Sequence, residues 1–245
     1  MSQGKCLRGF VHESQIDRAI PIIIVHGYFS ANKIGPQRLF FLMAQKLTQL
    51  GFQVYRFDLS GMGESDDIIS NITYGDHVND LHAIILNVRK IHDNARVAVV
   101  AHCLGCSITL SNIVSNPTWF REVIFLAPYY STKEILANFF NECSLKQLIA
   151  ENYTYRKGLY AHSSFFTESK KDEFVDNLYS ISTIINVIIP TNDQFIPLEG
   201  NLKTFINSSR IIVRLIEGAD HNFLEKRDEV IDLVGELLGD DKFEE

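Results

Sequence analysis

Three residues that lie far apart in the sequence have the types needed for nucleophilic catalysis: Cys103, Asp193 and His221. Cys103 is at the apex of the small-residue turn Ala101-His102-Cys103-Leu104-Gly105. An apolar β-like run, Val97 to Ala101, precedes it and a helical pattern, Ser107 to Val114, follows. A side chain on such a turn is pushed out of the sheet, and the first amides of the helix lie beneath it, which favours a thiol in its thiolate form. Ala101 and Gly105 flank the cysteine at minus two and plus two, as a turn without room for side chains requires. A nucleophile of this kind needs a base and a group that orients the base. His221 lies in Gly218-Ala219-Asp220-His221-Asn222-Phe223, and Asp193 in Asn192-Asp193-Gln194-Phe195-Ile196-Pro197. Each has a bland reading alone: a packed inert thiol, an exposed loop histidine, a capping aspartate. The order nucleophile, acid, base, each past its own β-like run, favours the catalytic reading. Asp220 is a rival orienter, but adjacent side chains point apart and Asp193 is preferred.

Other chemistries fit less well. Cys103 and Cys106 form a Cys-x-x-Cys at a helix start, the spacing of redox dithiols, but the surrounding pattern is not thioredoxin-like. Zinc fits less well still, since His102 is the only other nearby ligand type and no second cysteine pair exists. The Gly61-Met62-Gly63 loop is not followed by a lysine-bearing phosphate motif. No cofactor or metal is therefore expected. His26 and His102 read as packing residues beside the turns.

The elements that must position these turns alternate. Leu7 to His12 gives a weak strand signal and Ile20 to Val25 a strong one, continuously apolar as in a parallel strand covered on both faces. A helical pattern opens at Pro36 and closes at Gly51. Strand Phe52 to Asp58, a loop from Leu59 to Ser65 read as flexible, and helix Tyr74 to His92 follow. Strand Arg96 to Ala101, helix Leu104 to Val114 and strand Glu122 to Ala127 repeat the pattern. It lapses between Tyr129 and Ser182, where helical fragments (132–140, 144–150 and 171–178) surround the polar-aromatic segment 152–160. It resumes with strand Ile185 to Pro190, a helix near Glu199 to Ile206, strand Arg210 to Ile216 and a helix from Phe223 to Leu238. Alternation of this kind predicts an α/β fold with a doubly wound, mostly parallel sheet and a helical cap inserted at 129–182. Ligands then bind outside the carboxyl ends of the strands, where Cys103, Asp193 and His221 fall.

Composition limits the remaining options. With 245 residues and no shift of composition midway, a single domain spanning 1–245 is expected. A net charge of −7, with no basic stripe, argues against a nucleic-acid partner. The first residues lack the apolar stretch of a signal peptide and no run has the length of a membrane span, so the expected location is cytoplasmic. Four cysteines at 6, 103, 106 and 143 do not make a disulfide framework.

Taken together, His26-Gly27, the segment Asp58-Leu59-Ser60-Gly61-Met62-Gly63-Glu64-Ser65, the cysteine turn and the segments around Asp193 and His221 resemble the α/β-hydrolase superfamily. The likeness covers most of the chain and is nearest to the serine-aminopeptidase-like and carboxylesterase branch. It implies Cys103 as nucleophile where the family has serine, Asp193 as acid and His221 as base. The backbone amides of Tyr28 and Leu104 are the implied oxyanion hole, each such donor contributing ~3 kcal/mol. Tyr28, Phe29 and Phe195 are candidates to line the acyl pocket. Alanine replaces the first glycine of the family's Gly-x-Ser-x-Gly turn, and cysteine the serine. The Cys-His-Asp set also resembles that of the dienelactone hydrolases.

Sulfur changes the outcome, because its acyl intermediate is a thioester, open to amines, thiols and alcohols as well as water. The expected reaction is hydrolysis of a small-molecule carboxylic ester or thioester. Acyl transfer to an acyl carrier or second acceptor substrate is the alternative, with a lyase acting on a natural-product-like acyl substrate beside it. A non-catalytic binding module is disfavoured because acid and base are both intact. The sequence does not indicate an oligomeric state.

Overall fold

The computed structural model describes residues 4–15, 20–28, 32–129, 141–156, 159–163, 171–206 and 208–239. Their centre is a seven-stranded sheet. In chain order its strands are β1 (Gly9–His12), β2 (Pro21–Val25), β3 (Gln53–Phe57), β4 (Val97–His102), β5 (Phe120–Leu126), β8 (Ile185–Pro190) and β9 (Ile211–Ile216). Between β5 and β8 a separate hairpin pairs β6 (Tyr153–Arg156) with β7 (Leu159–His162). The sheet order is β1-β3-β2-β4-β5-β8-β9, with β1 antiparallel at one edge and every other pairing parallel. The expected α/β class and mostly parallel sheet are present.

The continuous apolar runs have the predicted cause. All of β2 and β4 is buried, because helices cover both faces. Alternate residues serve two cores. Ile23, Val25, Val97, Val99, Val123, Phe125, Val187 and Ile189 face α2 (Tyr74–Ile91) and α3 (Leu104–Ser115). Ile22, Ile24, Ala98, Val100, Ile124, Leu126 and Ile188 face α1 (Leu39–Gln49) and the last helix, Arg227–Gly239. Each buried aliphatic chain of this size contributes about 1.5–3 kcal/mol. Helix α2 starts at a capping box, in which Thr73 and Asp76 satisfy each other's backbone amides.

Element ends differ from the sequence reading where the backbone turns left-handed. Pro36–Arg38 is a 3-10 turn, and Gln37 and Arg38 have φ of 45° and 66°, so α1 begins only at Leu39. Phe223 has φ 54°, which delays the last helix to Arg227. The segment between β5 and β8 is not wholly helical. Helices α4 (Glu142–Glu151) and α5 (Lys171–Ser180) are present, but part of the polar-aromatic stretch forms the β6–β7 hairpin. Alternating β-prone residues such as Tyr153-Thr154-Tyr155 favour a strand over a loop. Thr154 is buried there and its hydroxyl donates to Gln147 of α4 at 3.1 Å. The expected helix at 132–140 lies outside the described residues. Helices α6 (Leu198–Phe205) and α7 (Arg227–Gly239) complete the chain order. Among the described residues no helix is long and apolar enough to cross a membrane.

Strand β2 has β3 on one side and β4 on the other. The chain passes from β2 to β3 on one side and from β4 to β5 on the other, a switch point outside whose carboxyl ends such sheets bind ligands. His26-Gly27-Tyr28 and Cys103 lie at those ends.

Candidate active site

Cys103 joins β4 to α3 with φ 55° and ψ −127°, a backbone conformation that costs a non-glycine residue about 1–3 kcal/mol. Three bonds hold it there. Its amide donates to the Leu126 carbonyl at 3.0 Å, and its carbonyl accepts from Cys106 and Tyr129, both at 3.1 Å. The turn is closed by neighbours that leave no room. A Cβ on Gly105 would be 2.7 Å from the His26 carbonyl oxygen, and one on Gly27 would be 2.6 Å from the Cys103 Cβ and 3.1 Å from its sulfur. This is the geometry of a nucleophile elbow.

Asp193 follows β8 and His221 follows β9. Nδ1 of His221 is 2.8 Å from Oδ2 of Asp193, with both side chains buried. The other carboxylate oxygen accepts the Phe195 and Ile196 amides at 2.7 and 3.1 Å, which fixes its orientation. Nε2 of His221 is buried without a hydrogen-bond partner among the described residues. The group it faces is the Cys103 sulfur. Burial alone would lower the pKa of this imidazole, yet the negative charges of Cys103 and Asp193 and the hydrogen bond that the ring donates to Asp193 push it up to about 10. The arrangement is a cysteine facing an imidazole, with a carboxylate behind the ring. Asp220, the rival orienter, instead accepts the Leu224 amide at 2.7 Å and closes a turn.

Leu104 opens α3, so its amide is one of the first four that have no carbonyl within the helix. Tyr28 is buried one residue past Gly27, on the loop that touches Cys103. Phe195 sets its ring edge-on to His221, centroids 5.1 Å apart at 90°. Phe29 lies outside the described residues. Among those described, no three His, Cys, Asp or Glu side chains group as a metal site would need.

Two histidines brace the turns. The His26 ring bridges the Gly27 carbonyl at 2.8 Å, through Nδ1, and the Leu59 amide at 3.1 Å, through Nε2. The amide must donate, so Nδ1 carries the proton and the ring is neutral. Burial lowers its pKa, in keeping with that. His102 Nε2 donates to the His221 carbonyl at 3.0 Å, and burial beside His221 lowers this ring to about 3. Cys106 is buried, its thiol donating to the Ala101 carbonyl at 3.2 Å, and burial pushes its pKa well up. It is held as a thiol beneath the elbow. All four cysteines are free.

Sequence reasoning missed the device beneath the neighbouring loop. Asp58 is fully buried, with Lys33 Nζ 2.5 Å from one oxygen and the Lys33 amide 2.6 Å from the other. The Glu64 amide adds a bond at 2.9 Å, and Lys33 also reaches the Glu64 carboxylate at 2.6 Å. The Ser60 amide donates to buried Asp80 at 2.8 Å. The loop from Leu59 to Ser65, expected to be flexible, is pinned by these bonds. Its aspartate was visible in sequence, but nothing in the spacing marked Lys33 as its partner.

A family model described as serine aminopeptidase, S33, matches residues 18–195. Among curated proteins, a probable lysophospholipase, BODYGUARD 4 of Arabidopsis thaliana, is 23% identical over 128 residues. That match covers 52% of this chain but only 29% of the relative's length. Among solved structures, Est1E from Butyrivibrio proteoclasticus with ferulic acid bound superposes with a TM-score of 0.84 at 14% identity, covering 97% of this chain and 96% of its own. The monoacylglycerol lipase of Paleococcus ferrophilus superposes with a TM-score of 0.71 at 16% identity, covering 95% and 98%. These likenesses establish a common fold.

Proposed function

Given that the chain belongs to the serine aminopeptidase S33 family of α/β-hydrolases, we propose that it hydrolyses a small-molecule carboxylic ester or thioester through an acyl-cysteine on Cys103. The observation that carries this reading is the His221–Asp193 contact at 2.8 Å, with the far nitrogen of His221 aimed at a thiol on a left-handed turn. Similarity to a probable lysophospholipase and to a monoacylglycerol lipase supports an acyl ester.

In the first half-reaction His221 holds the proton of Cys103 and the sulfur attacks the carbonyl carbon. Oxyanion charge develops toward the Tyr28 and Leu104 amides. The tetrahedral adduct collapses, the bond to the leaving oxygen or sulfur breaks, and His221 delivers the proton to that atom. In the second half-reaction His221 takes a proton from water as it attacks the thioester. Collapse releases the acid and returns the proton to sulfur. Asp193 keeps the imidazole in the tautomer that both steps need. Residues 129–182 act as the cap that selects the acyl group, with Tyr28 and Phe195 near Cys103. Sulfur favours one second reading, in which an amine or alcohol replaces water and the enzyme is an acyltransferase.

Short-chain nitrophenyl esters test this on wild type, Cys103→Ala and His221→Ala, with intact-mass detection of the acyl-enzyme. Turnover with an adduct on Cys103, lost in both variants, supports the proposal. Discharge of the adduct only by added amine or alcohol selects acyl transfer. If no ester turns over and iodoacetamide labels Cys103 no faster than the exposed Cys143, the reading fails.

A further inference from the structure

A cavity of about 620 Å³ opens at the end of the sheet away from Cys103. Arg96, Arg121 and Arg214 line it, with Glu122 as the one acidic residue of its wall. Arg96 precedes β4, whereas Cys103 follows that strand, so this cavity and the elbow are at opposite ends of the sheet. In a chain with 23 basic and 30 acidic residues, three arginines around one glutamate run against the overall charge.

Two of the arginines, Arg214 and Arg121, are held by the sheet itself. Asn186, 6% exposed on β8, accepts from Arg214 Nη1 through its side-chain oxygen at 2.9 Å. Asn186 pairs with Ile212, so Arg214, two residues on, shares its face of the sheet. Arg121 is held by a different feature. Val97 pairs with Phe120 and Ala98 with Glu122, which leaves Arg121 as the extra residue of a bulge. A bulge re-aims side chains, and here Phe120, Arg121 and Glu122 all reach one cavity, which a regular strand would not allow. Among the described residues none of the three guanidiniums lies within 4.0 Å of a carboxylate. Burial raises the pKa of Glu122, although Arg121 and Arg96 oppose this.

We propose that this cavity binds a small molecule carrying an oxyanion, a phosphate or a carboxylate, on an apolar body. Guanidinium forks match the paired oxygens of either group, and an arginine already braced by a neutral amide keeps donors to spare. Ile184, Ile212 and Leu237 supply the apolar wall. The volume falls within the range of small-ligand sites.

Calorimetric titration with phenyl phosphate, benzoate and neutral benzyl alcohol tests the site. Phenyl phosphate or benzoate should bind wild type, and Arg214→Gln and Arg96→Ser should each weaken that binding roughly tenfold, the size of one charge-assisted hydrogen bond. Arg96 is exposed, so its variant stays folded and should keep wild-type nitrophenyl ester turnover. Tighter binding of phenyl phosphate assigns a phosphate ligand and tighter binding of benzoate a carboxylate, and either upholds the site. Absence of binding at millimolar concentration, equal affinity for benzyl alcohol, or unchanged affinity in both variants overturns it.

Discussion

His102 Nε2 donates a hydrogen bond to the main-chain carbonyl of His221 at 3.0 Å. The residue before the proposed nucleophile therefore holds the backbone of the residue proposed as its base. The ring is buried and neutral, in contact with Phe40 at a centroid distance of 5.7 Å. His102→Leu should leave the carbonyl without a donor and cost about 1–3 kcal/mol in urea unfolding. Loss of kcat with little change in KM is the expected kinetic result. His102→Gln, which keeps an N–H donor, should recover part of both.

Gly27 is fixed by its neighbour rather than by its own φ. A methyl there would be 2.6 Å from the Cys103 Cβ, closer than side chains tolerate. Gly27→Ala should displace the elbow and lower kcat/KM by about a hundredfold, as a misplacement near 1 Å does, while circular dichroism remains native. Wild-type turnover in this variant would mean that the β2 loop does not set the position of the sulfur.

The two sequence readings that succeeded best rest on local signals. Continuous apolar runs such as Ile22–Val25 and Val97–Ala101 are strands because helices cover both faces, and that burial is written into residue type. The turn at Cys103 was legible because small residues must flank it. What the sequence hid is either long-range or conformational. The partner of Asp58 is 25 residues away and could be any cation. The delayed starts of α1 and α7 come from left-handed Arg38 and Phe223, residue types that carry no turn signal. His102 was legible as a packing residue, but its bond to residue 221 crosses 119 positions.

Lys33 and Asp58 form an ion pair in which the side chains are 5% and 0% exposed. Each charge depends on the other once removed from water. Lys33→Met should cost about 3–5 kcal/mol, because it strands a buried carboxylate. Asp58→Asn should cost less, since Glu64 still neutralises the ammonium at 2.6 Å. Urea midpoints of the two variants check this order. Equal midpoints would place the weight of the network on the backbone amides of Lys33 and Glu64 instead.

The His221 imidazole holds its proton more tightly folded than unfolded. Burial opposes this, but the charges of Cys103 and Asp193 outweigh it, raising the pKa from 6.5 to about 10. A raised pKa means that the folded state binds the extra proton, so stability from this group falls as pH rises. The contribution is complete below about pH 6.5, declines through the window up to about pH 10, and is gone above it. Urea unfolding of wild type and His221→Gln at pH 6, 8 and 10 isolates it, with both proteins sharing all other titrations. The stability gap between them should be widest at pH 6 and shrink by ~2 kcal/mol or more by pH 10, since a tenfold change in proton affinity is worth about 1.4 kcal/mol. A gap that stays constant across the three pH values would show that His221 is not paired with charge in the folded protein. Asp193→Asn should narrow the same gap at pH 6, because it removes the carboxylate 2.8 Å from Nδ1.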